Sequence, residues 1–389
     1  MRILFTCIPQ TGHVTPLMPL ALALVDQGDD VVVATGPDAR PIVESSGVTF
    51  TSIGPPFGEW FAALRGRTRG NPGDGLAPER VETYFVPRLF GEIGTAVMLD
   101  DLMETSRTFS PDLVVFDPLC FAGPLLAARL GAPGIQHSIG PVLDAHVLDL
   151  ATDAVSPIWR EFGLDVPPAA GLYQGTTITI CPPSLDPAAQ NLRDALALRP
   201  VPLPVEPAPD FPVRGGTDEA PLIYVTLGTF SNNLDLFGLI LDALAGEPVS
   251  VIATIGADKD PADLEPIPAN ARVERYIPQH ELLPHCSAVV HHAGAGTSFA
   301  ALAHGLPSVA LPQSADNFKL ARRLSQAGVS IELAPHEVNS EAVSSALAEI
   351  LRDQRWRRAA QDSANEIADM PGPIDVARTL RSKGGRVSM

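Results

Sequence analysis

The most specific chemical pattern in this chain is the heptapeptide HHAGAGT at residues 291–297, which follows an apolar segment and precedes a helix-like one. Its two glycines allow a ligand to approach the backbone, and the helix behind them presents unpaired N–H groups and the positive end of its dipole. This combination predicts an anion site suited to a pyrophosphate, built without lysine or arginine. The heptapeptide lacks the third glycine of a dinucleotide fingerprint and the GK[ST] end of a P-loop. A tight strand-to-helix turn with two core histidines is the alternative interpretation.

A carboxylate and an amide stand side by side at Asp316 and Asn317, after the next predicted strand. Such a pair can hydrogen-bond vicinal hydroxyls, as a sugar presents them. An ordinary helix N-cap is the alternative.

A histidine and an aspartate follow two predicted strands of the N-terminal half. Gly12-His13 precedes a helix, and Asp117 ends an apolar strand. Because the carboxyl ends of parallel strands share one crevice, His13 and Asp117 can meet there. A histidine held by an aspartate has a fixed tautomer and a stabilised cation, which makes it a general base. Otherwise His13 only starts a helix and Asp117 only shapes a turn.

The positions of these candidate residues depend on an alternation of strands and helices that runs through both halves of the chain. One helix is expected to start at Thr15, with its hydroxyl as N-cap and Pro16 in the first turn, and to stop at Gly28. The alternation predicts parallel sheets with helices on both faces. The predicted strands are nearly continuous apolar runs, at residues 3–7, 31–35, 48–53, 113–116, 133–137, 222–227, 249–255, 288–290 and 308–311.

An irregular stretch separates the two halves. Ten prolines fall between Pro182 and Pro221, which is typical of a linker. We therefore expect an α/β protein with two Rossmann-like, doubly wound parallel-sheet domains that face a central cleft. The expected boundaries are 1–200 for the N-terminal domain, 201–218 for the linker, 219–370 for the C-terminal domain and 371–389 for a final segment.

Composition excludes several classes of protein. The 389 residues include 27 Lys and Arg against 45 Asp and Glu, a net charge of −18, which argues against a nucleic-acid surface and a polybasic membrane patch. Hydrophobic residues make up 45% and charged residues 19%, as in a globular chain. Four scattered cysteines, no long apolar run and no signal peptide predict a cytoplasmic protein without a membrane span. A homodimer remains open.

Taken together, the patterns resemble the nucleotide-sugar-dependent glycosyltransferases of the GT-B fold, in the UDP-glycosyltransferase superfamily. The most similar group is that of the actinobacterial enzymes that glycosylate antibiotics and other natural products. The resemblance spans nearly the whole chain and is strongest in the C-terminal half. It is carried by Gly12-His13, Thr226-Leu227-Gly228-Thr229, Arg275-Tyr276-Ile277-Pro278-Gln279, the heptapeptide and Asp316-Asn317, in that order.

The resemblance implies an inverting, metal-independent transfer of a sugar or deoxysugar from a dTDP- or UDP-sugar to a hydroxyl of a small hydrophobic polyketide, macrolide or aromatic aglycone. The N-terminal domain would bind the acceptor, with His13 as the base and Asp117 as its partner, and the C-terminal domain would bind the donor. No cofactor is implied, and the final segment would cross back to the N-terminal domain. Residues implied to bind the nucleotide and phosphates are Gly228, Thr229, Tyr276, Ile277, Gln279, His292, Gly294, Gly296 and Thr297, and those implied to bind the sugar are Asp316 and Asn317.

Two departures from the family pattern bear on the donor. Asn317 stands where the family usually has glutamine, so the sugar contact is shorter. Ala300 stands where many UDP-sugar enzymes have a glutamate for the ribose hydroxyls, which favours dTDP. A nucleotide-sugar epimerase of the same fold and a non-catalytic nucleotide-sugar-binding accessory protein are the alternatives. The sequence Asp258-Lys259-Asp260 has the spacing of a metal-binding DxD motif but is interpreted as a surface loop.

Aromatic residues of the N-terminal half are candidates for the acceptor pocket. Phe57, Trp60 and Phe61 lie in a segment expected to be irregular, and Phe85 and Phe90 lie in one expected to be partly helical, interrupted by a proline. Aromatic side chains beside a crevice can bind an apolar aglycone. Ordinary packing against the sheet is the alternative.

Overall fold

The computed structural model describes residues 1–68, 71–77, 80–203, 220–228, 233–314 and 316–384, without the side chains of the last two. It divides the chain into two compact units. The first comprises Met1–Leu203 and Met370–Met389, and the second comprises Pro204–Asp369. Most of the segment interpreted as a linker, residues 204–218, lies outside the described residues.

The first unit contains a seven-stranded parallel sheet in the order β3-β2-β1-β4-β5-β6-β7. Its central strands β1 and β4 are apolar and buried because helices cover both faces of the sheet. The strand order changes direction between β1 and β4, and the carboxyl ends of these two strands carry the candidate residues. The strands are β1 (Arg2–Thr6), β2 (Asp30–Thr35), β3 (Thr49–Ser52), β4 (Leu113–Phe116), β5 (Gly134–His137), β6 (Thr177–Thr179) and β7 (Ala195–Ala197).

The helices of the first unit differ from the sequence-based expectation in three places. The described ones are α1 (Thr11–Asp26), α2 (Arg40–Ser45), α3 (Phe57–Arg67), α4 (Val81–Phe85), α5 (Thr95–Phe109), α6 (Ala122–Leu130) and α7 (Ala145–Glu161). Helix α1 starts at Thr11 rather than at Thr15, so Pro16 and Pro19 lie inside it. Each proline removes one backbone hydrogen bond, and the buried face of α1 offsets that loss.

The segment expected to be irregular is helical instead. Phe57, Trp60 and Leu64 share one buried face of α3, which explains why the helix forms despite Gly58 and Gly66. The proline-interrupted stretch is also continuous, because a π-helical segment, Val86–Gly94, joins α4 to α5. The wider hydrogen-bond spacing of a π-helix is found frequently at functional sites.

The C-terminal helix α14 (Pro373–Gly384) packs on α1 of the first unit. The side-chain amide of Gln27 donates to the carbonyl of Ile374 at 3.1 Å, and the N–H of Arg199 donates to the carbonyl of Pro371 at 2.8 Å. These contacts make the last described residues part of the first unit.

The second unit contains a six-stranded parallel sheet in the order β10-β9-β8-β11-β12-β13, which changes direction between β8 and β11. Alternate residues of β8 pack into two different hydrophobic cores. Ile223 and Val225 pack into one core, and Leu222 and Tyr224 pack into the other. Both faces are therefore buried. The strands are β8 (Leu222–Thr226), β9 (Ser250–Thr254), β10 (Ala271–Glu274), β11 (Ala288–His291), β12 (Ser308–Ala310) and β13 (Ser330–Glu332). The described helices are α8 (Leu234–Leu244), α9 (Gln279–Leu282), α10 (Ala295–Ala303), α11 (Asn317–Gln326), α12 (Ser340–Arg352) and α13 (Gln354–Asp369).

Across the described ranges, none of the helices has both the length and the apolar character that crossing a bilayer requires.

Candidate active site

The first group of candidate residues lies at the carboxyl edge of the first sheet, beside the change of direction between β1 and β4. His13 is in the first turn of α1, which follows β1, and Asp117 directly follows β4. Their side chains meet, with Nδ1 of His13 3.2 Å from Oδ2 of Asp117. The structure therefore joins two distant residues at the place where open α/β sheets usually bind their ligands.

The carboxylate of Asp117 is held by the backbone on three sides. Its Oδ2 accepts the N–H of Ile8 at 2.7 Å, and its Oδ1 accepts the N–H groups of Leu119 and Cys120 at 2.6 and 3.0 Å. The side chain is fully buried, and these three donors stabilise its negative charge in place of water. A carboxylate fixed in this way accepts Nδ1–H of His13, which leaves the lone pair on Nε2.

The other titratable groups described beside Asp117 are held neutral. Burial and the charge of Asp117 raise the pKa of the Cys120 thiol to about 12, and burial raises the pKa of Cys7 well above its usual value. Burial lowers the pKa of His137 to about 4. The side chain of His13, by contrast, keeps 14% of its surface exposed, so a substrate can reach it.

A series of aromatic rings extends from His13. Phe90, in the π-helical segment, lies 6.4 Å from the imidazole between ring centroids, and Phe57 stacks on Phe90 at 6.3 Å. Phe61 meets Phe57 edge-on at 5.4 Å, and Phe85 lies 6.0 Å from Phe61. Because Phe61, Phe85 and Phe90 are only half-buried, they offer apolar surface to a ligand.

Trp60 differs from these rings because it is 1% exposed. It packs in the core under the π-helical segment, where a Cβ at Gly94 would lie 2.6 Å from its ring. The expectation that Trp60 lines a pocket is therefore not met by its position. For Trp60, and for the buried side chain of Phe57, the core-packing alternative describes the structure.

The second group of candidate residues lies at the carboxyl edge of the second sheet. The chain leaves β11 at His291 and enters α10 at Ala295, with Gly294 as the N-cap. The N-cap residue Gly294 has no side chain that could cap the helix, so the first-turn N–H groups of α10 are left for a ligand. Gly296 has open space around its Cα, and Thr297 is buried beside it.

The turn between β11 and α10 contains a strained residue. Ala293 has a φ of +64°, in the left-handed region that costs a non-glycine residue about 1–2 kcal/mol. Its N–H donates to Nδ1 of His291 at 3.0 Å. Burial, with a smaller contribution from His292, lowers the pKa of His291 to about 3, so the imidazole is neutral and can accept this bond.

The imidazole of His292 lies between two glycines. A Cβ at Gly294 would be 2.3 Å from its Nε2, and a Cβ at Gly228 would be 2.5 Å from the same atom. The sequence predicted that the glycines admit a ligand, but for Gly294 the structure shows another reason, since its missing side chain makes room for this ring. Burial lowers the pKa of His292 to about 4, and the nearby carbonyl of Thr226 acts in the opposite direction.

A buried hydrogen-bond network lies behind the first turn of α10. The side-chain amide of Gln279 donates to the hydroxyl of Thr297 at 3.1 Å and to that of Tyr224 at 3.4 Å. Tyr224 in turn shares a hydrogen bond of 2.7 Å with Thr254. Gln279, expected to bind the nucleotide or its phosphates, thus uses its Nε2 inside the protein and keeps Oε1 as the atom that can accept from a ligand.

The remaining nucleotide candidates occupy contrasting positions. Tyr276 is 65% exposed, so its ring is available to a planar base. Ile277 is buried in the core with Leu222 and Leu282, so only its backbone can contact a ligand. Thr229 lies outside the described residues.

The two sugar-binding candidates lie where α11 begins. The amide of Asn317 is largely buried, and its Oδ1 is 3.4 Å from the N–H of Ser314. Its Nδ2 is 3.5 Å from Oδ1 of Asp316, which is half-buried at the N-cap position of α11. The two side chains therefore touch, as the vicinal-hydroxyl hypothesis requires, although Asn317 offers little surface.

The DxD-like sequence is a surface loop, as expected. Asp260 accepts the N–H of Ala262 at 3.1 Å and pairs with Arg275 at 3.2 Å, and Asp258 is exposed. Over the part of the chain that the structure describes, no three His, Cys, Asp or Glu residues are grouped so that they could hold a metal ion.

Family models match both units. The N-terminal domain of the family described as erythromycin biosynthesis protein CIII-like matches residues 79–209, and its C-terminal domain matches residues 238–382. Together these matches span well over half of the chain. The chain belongs to this family.

Individual relatives agree with the assignment to the erythromycin biosynthesis protein CIII-like family. The L-demethylnoviosyl transferase of Streptomyces niveus is 31% identical over 397 residues and covers 98% of this chain and 98% of its own. The glycosyltransferase SnogD from Streptomyces nogalater has a similar structure, with a TM-score of 0.80, 28% identity and coverage of 98% and 99% of the two chains. The glycosyltransferase SsfS6 of Streptomyces sp. SF2575, solved with thymidine diphosphate, has a TM-score of 0.79, 27% identity and the same coverage.

As a member of the erythromycin biosynthesis protein CIII-like family, the protein is a glycosyltransferase with the two parallel-sheet domains of the GT-B fold. The predicted family, fold class and enzyme class are confirmed. Sequence reasoning named Gly228 and Gly294 as ligand-binding residues but missed that they enclose the ring of His292, and it gave His291 only as a possible core histidine. The closeness of the two glycines to each other could have been inferred from strand pairing, because Gly228 follows β8, Gly294 follows β11, and these two strands are neighbours in the sheet.

Proposed function

We propose that this glycosyltransferase moves a sugar from a dTDP-sugar, or less readily a UDP-sugar, to a hydroxyl of a small apolar aglycone. In this proposal the first unit binds the acceptor and the second binds the donor. The observation that carries it is the hydrogen bond between His13 and the buried carboxylate of Asp117 at the carboxyl edge of the first sheet.

His13 acts as the general base. Since Nδ1–H is directed to Asp117, Nε2 takes the proton of the acceptor hydroxyl as its oxygen attacks the anomeric carbon. A new carbon–oxygen bond forms on the face opposite the nucleotide, the bond to the diphosphate breaks, and its electron pair leaves with the diphosphate. The configuration at the anomeric carbon is inverted. Asp117 stabilises the imidazolium that results, and general-base help of this kind is worth about 10²–10⁴ in rate.

The first turn of α10 and His292 receive the departing diphosphate. The unpaired N–H groups and the helix dipole favour negative charge there by roughly 0.3–2 kcal/mol. The neutral imidazole of His292 has a single N–H, and the carbonyl of Thr226 lies beside the ring. An arriving phosphate raises the pKa of His292, and the imidazolium that forms can donate a second N–H to the phosphate. Gly296, with open space where a Cβ would stand, allows the phosphates to approach the backbone of this turn.

The nucleoside and the sugar are assigned to the neighbouring loops. The exposed ring of Tyr276 stacks on the base, and beside it the backbone of Ile277 donates or accepts a hydrogen bond and Oε1 of Gln279 accepts one. Thr229 contacts a phosphate. Asp316 and Asn317 bind the sugar hydroxyls. Ala300, half-buried on α10, has no group for a ribose 2′-hydroxyl, which supports dTDP. The thymidine diphosphate bound to the related SsfS6 supports the same choice.

The acceptor binds on the aromatic surface beside His13. Phe61, Phe85 and Phe90 present apolar faces and belong to the series of ring contacts that starts at His13, the proposed base. Such a surface favours an apolar aglycone with a ring system over a sugar or a peptide. Membership of the erythromycin biosynthesis protein CIII-like family supports a natural-product acceptor.

The test is a transfer assay read by mass spectrometry. The purified protein is incubated with dTDP- and UDP-sugars against a panel of phenolic, polyketide and macrolide aglycones. The proposal predicts a product heavier by one sugar, more of it from dTDP donors, and little from His13→Ala. His336→Ala, which removes an exposed histidine of the second unit, is the matched control. Release of free sugar or an altered nucleotide sugar, with no glycosylated aglycone, contradicts the proposal.

A further inference from the structure

His291 is a buried histidine that the proposed reaction does not use. It ends β11, pairs with Thr226 and Ala310 of the adjacent strands, and has no exposed surface. Because Nδ1 accepts the N–H of Ala293, the ring hydrogen is on Nε2, which is buried and has no hydrogen-bond partner among the described residues. A polar ring retained at such a place needs an explanation, since an apolar side chain would pack there without an unsatisfied group.

The hydrogen bond that His291 does make closes a tight turn between residues 291 and 293. An acceptor on residue i that binds the N–H of residue i+2 is the geometry of an Asx turn, here formed by an imidazole. The turn contains Ala293 in its left-handed conformation, and the residues on either side of Ala293 are the ones that face the proposed diphosphate. His292 precedes it, and Gly294 caps α10 after it.

We propose that His291 is a positioning residue for the donor site: its Nδ1 holds Ala293 in the left-handed conformation, and that conformation sets the direction of His292 and of the first turn of α10. This inference rests on the diphosphate site of the proposed function. His291 itself does not touch the donor, because it is fully buried behind the turn.

The proposal predicts how two neighbouring substitutions interact. His291→Leu fills a similar volume but removes the acceptor, so the left-handed conformation of Ala293 loses its support and dTDP binds about three- to tenfold more weakly, as for one lost hydrogen bond. Glycine adopts positive φ without strain, so adding Ala293→Gly to His291→Leu restores most of the affinity. His291→Asn, whose Oδ1 can close the same turn, retains most of the affinity without any second change.

The experiment is isothermal titration calorimetry with dTDP, with unfolding by urea on the same variants. His137→Leu is the matched control: it removes an equally buried imidazole at the end of β5 in the first unit and should leave the dTDP affinity unchanged. The proposal is overturned if His291→Leu binds dTDP as tightly as the wild-type protein. It is also overturned if His291→Leu binds dTDP more weakly and adding Ala293→Gly does not recover the affinity. Should His291→Leu fail to fold, His291→Gln replaces it, because its acceptor lies one carbon too far away. If His291→Gln then binds dTDP as tightly as His291→Asn does, the proposal is overturned.

The same data separate this inference from the proposed function. If the wild-type protein binds no dTDP at all, the diphosphate site is wrong, and the positioning role fails with it. If the wild-type protein binds dTDP and the His291 variants bind it equally well, only the positioning role is wrong.

Discussion

Replacing Gly294 by alanine tests the role of His292 without touching its imidazole. Gly294 has an ordinary backbone conformation, so alanine causes no strain of its own. The new Cβ, however, would lie 2.3 Å from Nε2 of His292, and van der Waals contact requires the ring to move by about 1 Å. It cannot move freely to the opposite side, where Gly228 closes on the same ring.

A displacement of about 1 Å is enough to break a hydrogen bond from this imidazole to a phosphate. Hydrogen bonds to charged groups are worth about 1.5–3 kcal/mol, so we expect Gly294→Ala to weaken dTDP binding by about 10- to 100-fold. In a protein that already carries His292→Ala, the ring is absent and the extra methyl has nothing to displace. Adding Gly294→Ala should then change the affinity by less than about twofold.

Calorimetric titration with dTDP measures all four proteins of this cycle. Gly238→Ala is the control, because Gly238 lies on α8 with no atom within 4 Å of its added Cβ. If Gly294→Ala binds dTDP within threefold of the wild-type affinity, the reasoning is refuted. It is also refuted if Gly294→Ala weakens dTDP binding as much in the His292→Ala protein as it does in the wild-type protein.

Three further outcomes are expected. Asp117→Asn removes the charge that stabilises the imidazolium, so kcat should fall by about 10²-fold with dTDP affinity unchanged; full kcat removes Asp117 from the mechanism. EDTA should leave turnover intact, since Asp260 already holds Arg275 and a backbone N–H; inhibition that Mg²⁺ reverses contradicts this. Buried His291 and His292, with pKa values of about 3 and 4, bind fewer protons than in the unfolded chain, so the free energy of unfolding should fall as the pH drops from about 6.5 toward 4. His291→Asn should make that fall shallower by at most about 1.4 kcal/mol per pH unit, and an equal slope contradicts the assignment.

Much of the fold could be predicted because parallel strands buried on both faces have an unusually simple sequence pattern. The runs at 3–7, 113–116 and 288–290 each became a central strand of a sheet. Helix boundaries were harder, because local rules compete with burial. Pro16 is a good first-turn residue, yet the helix extends back to Thr11, where the chain turns after β1.

The meeting of His13 and Asp117 was predictable from topology alone. Both follow strands of one parallel sheet, and a parallel sheet brings its carboxyl ends together at one edge. The roles that we propose for them do not follow from topology, and they rest on the hydrogen bond between the two side chains together with the resemblance.

The environment of His292 could not be predicted from local sequence. Its ring is enclosed by glycines from two separate loops, so the steric constraint is invisible until the two strands are paired. The burial of Ile277 and Trp60 was missed for a related reason. A large apolar side chain next to polar motifs can face either a ligand or the core, and only the packed structure decides between them.

The most direct test of the account is the turnover of His13→Ala compared with its affinity for dTDP. If His13 accepts the proton of the acceptor hydroxyl, kcat should fall by about 10²–10⁴ while dTDP binds as tightly as to the wild-type protein. A variant that transfers sugar within about threefold of the wild-type rate would contradict the assignment of His13 as the general base.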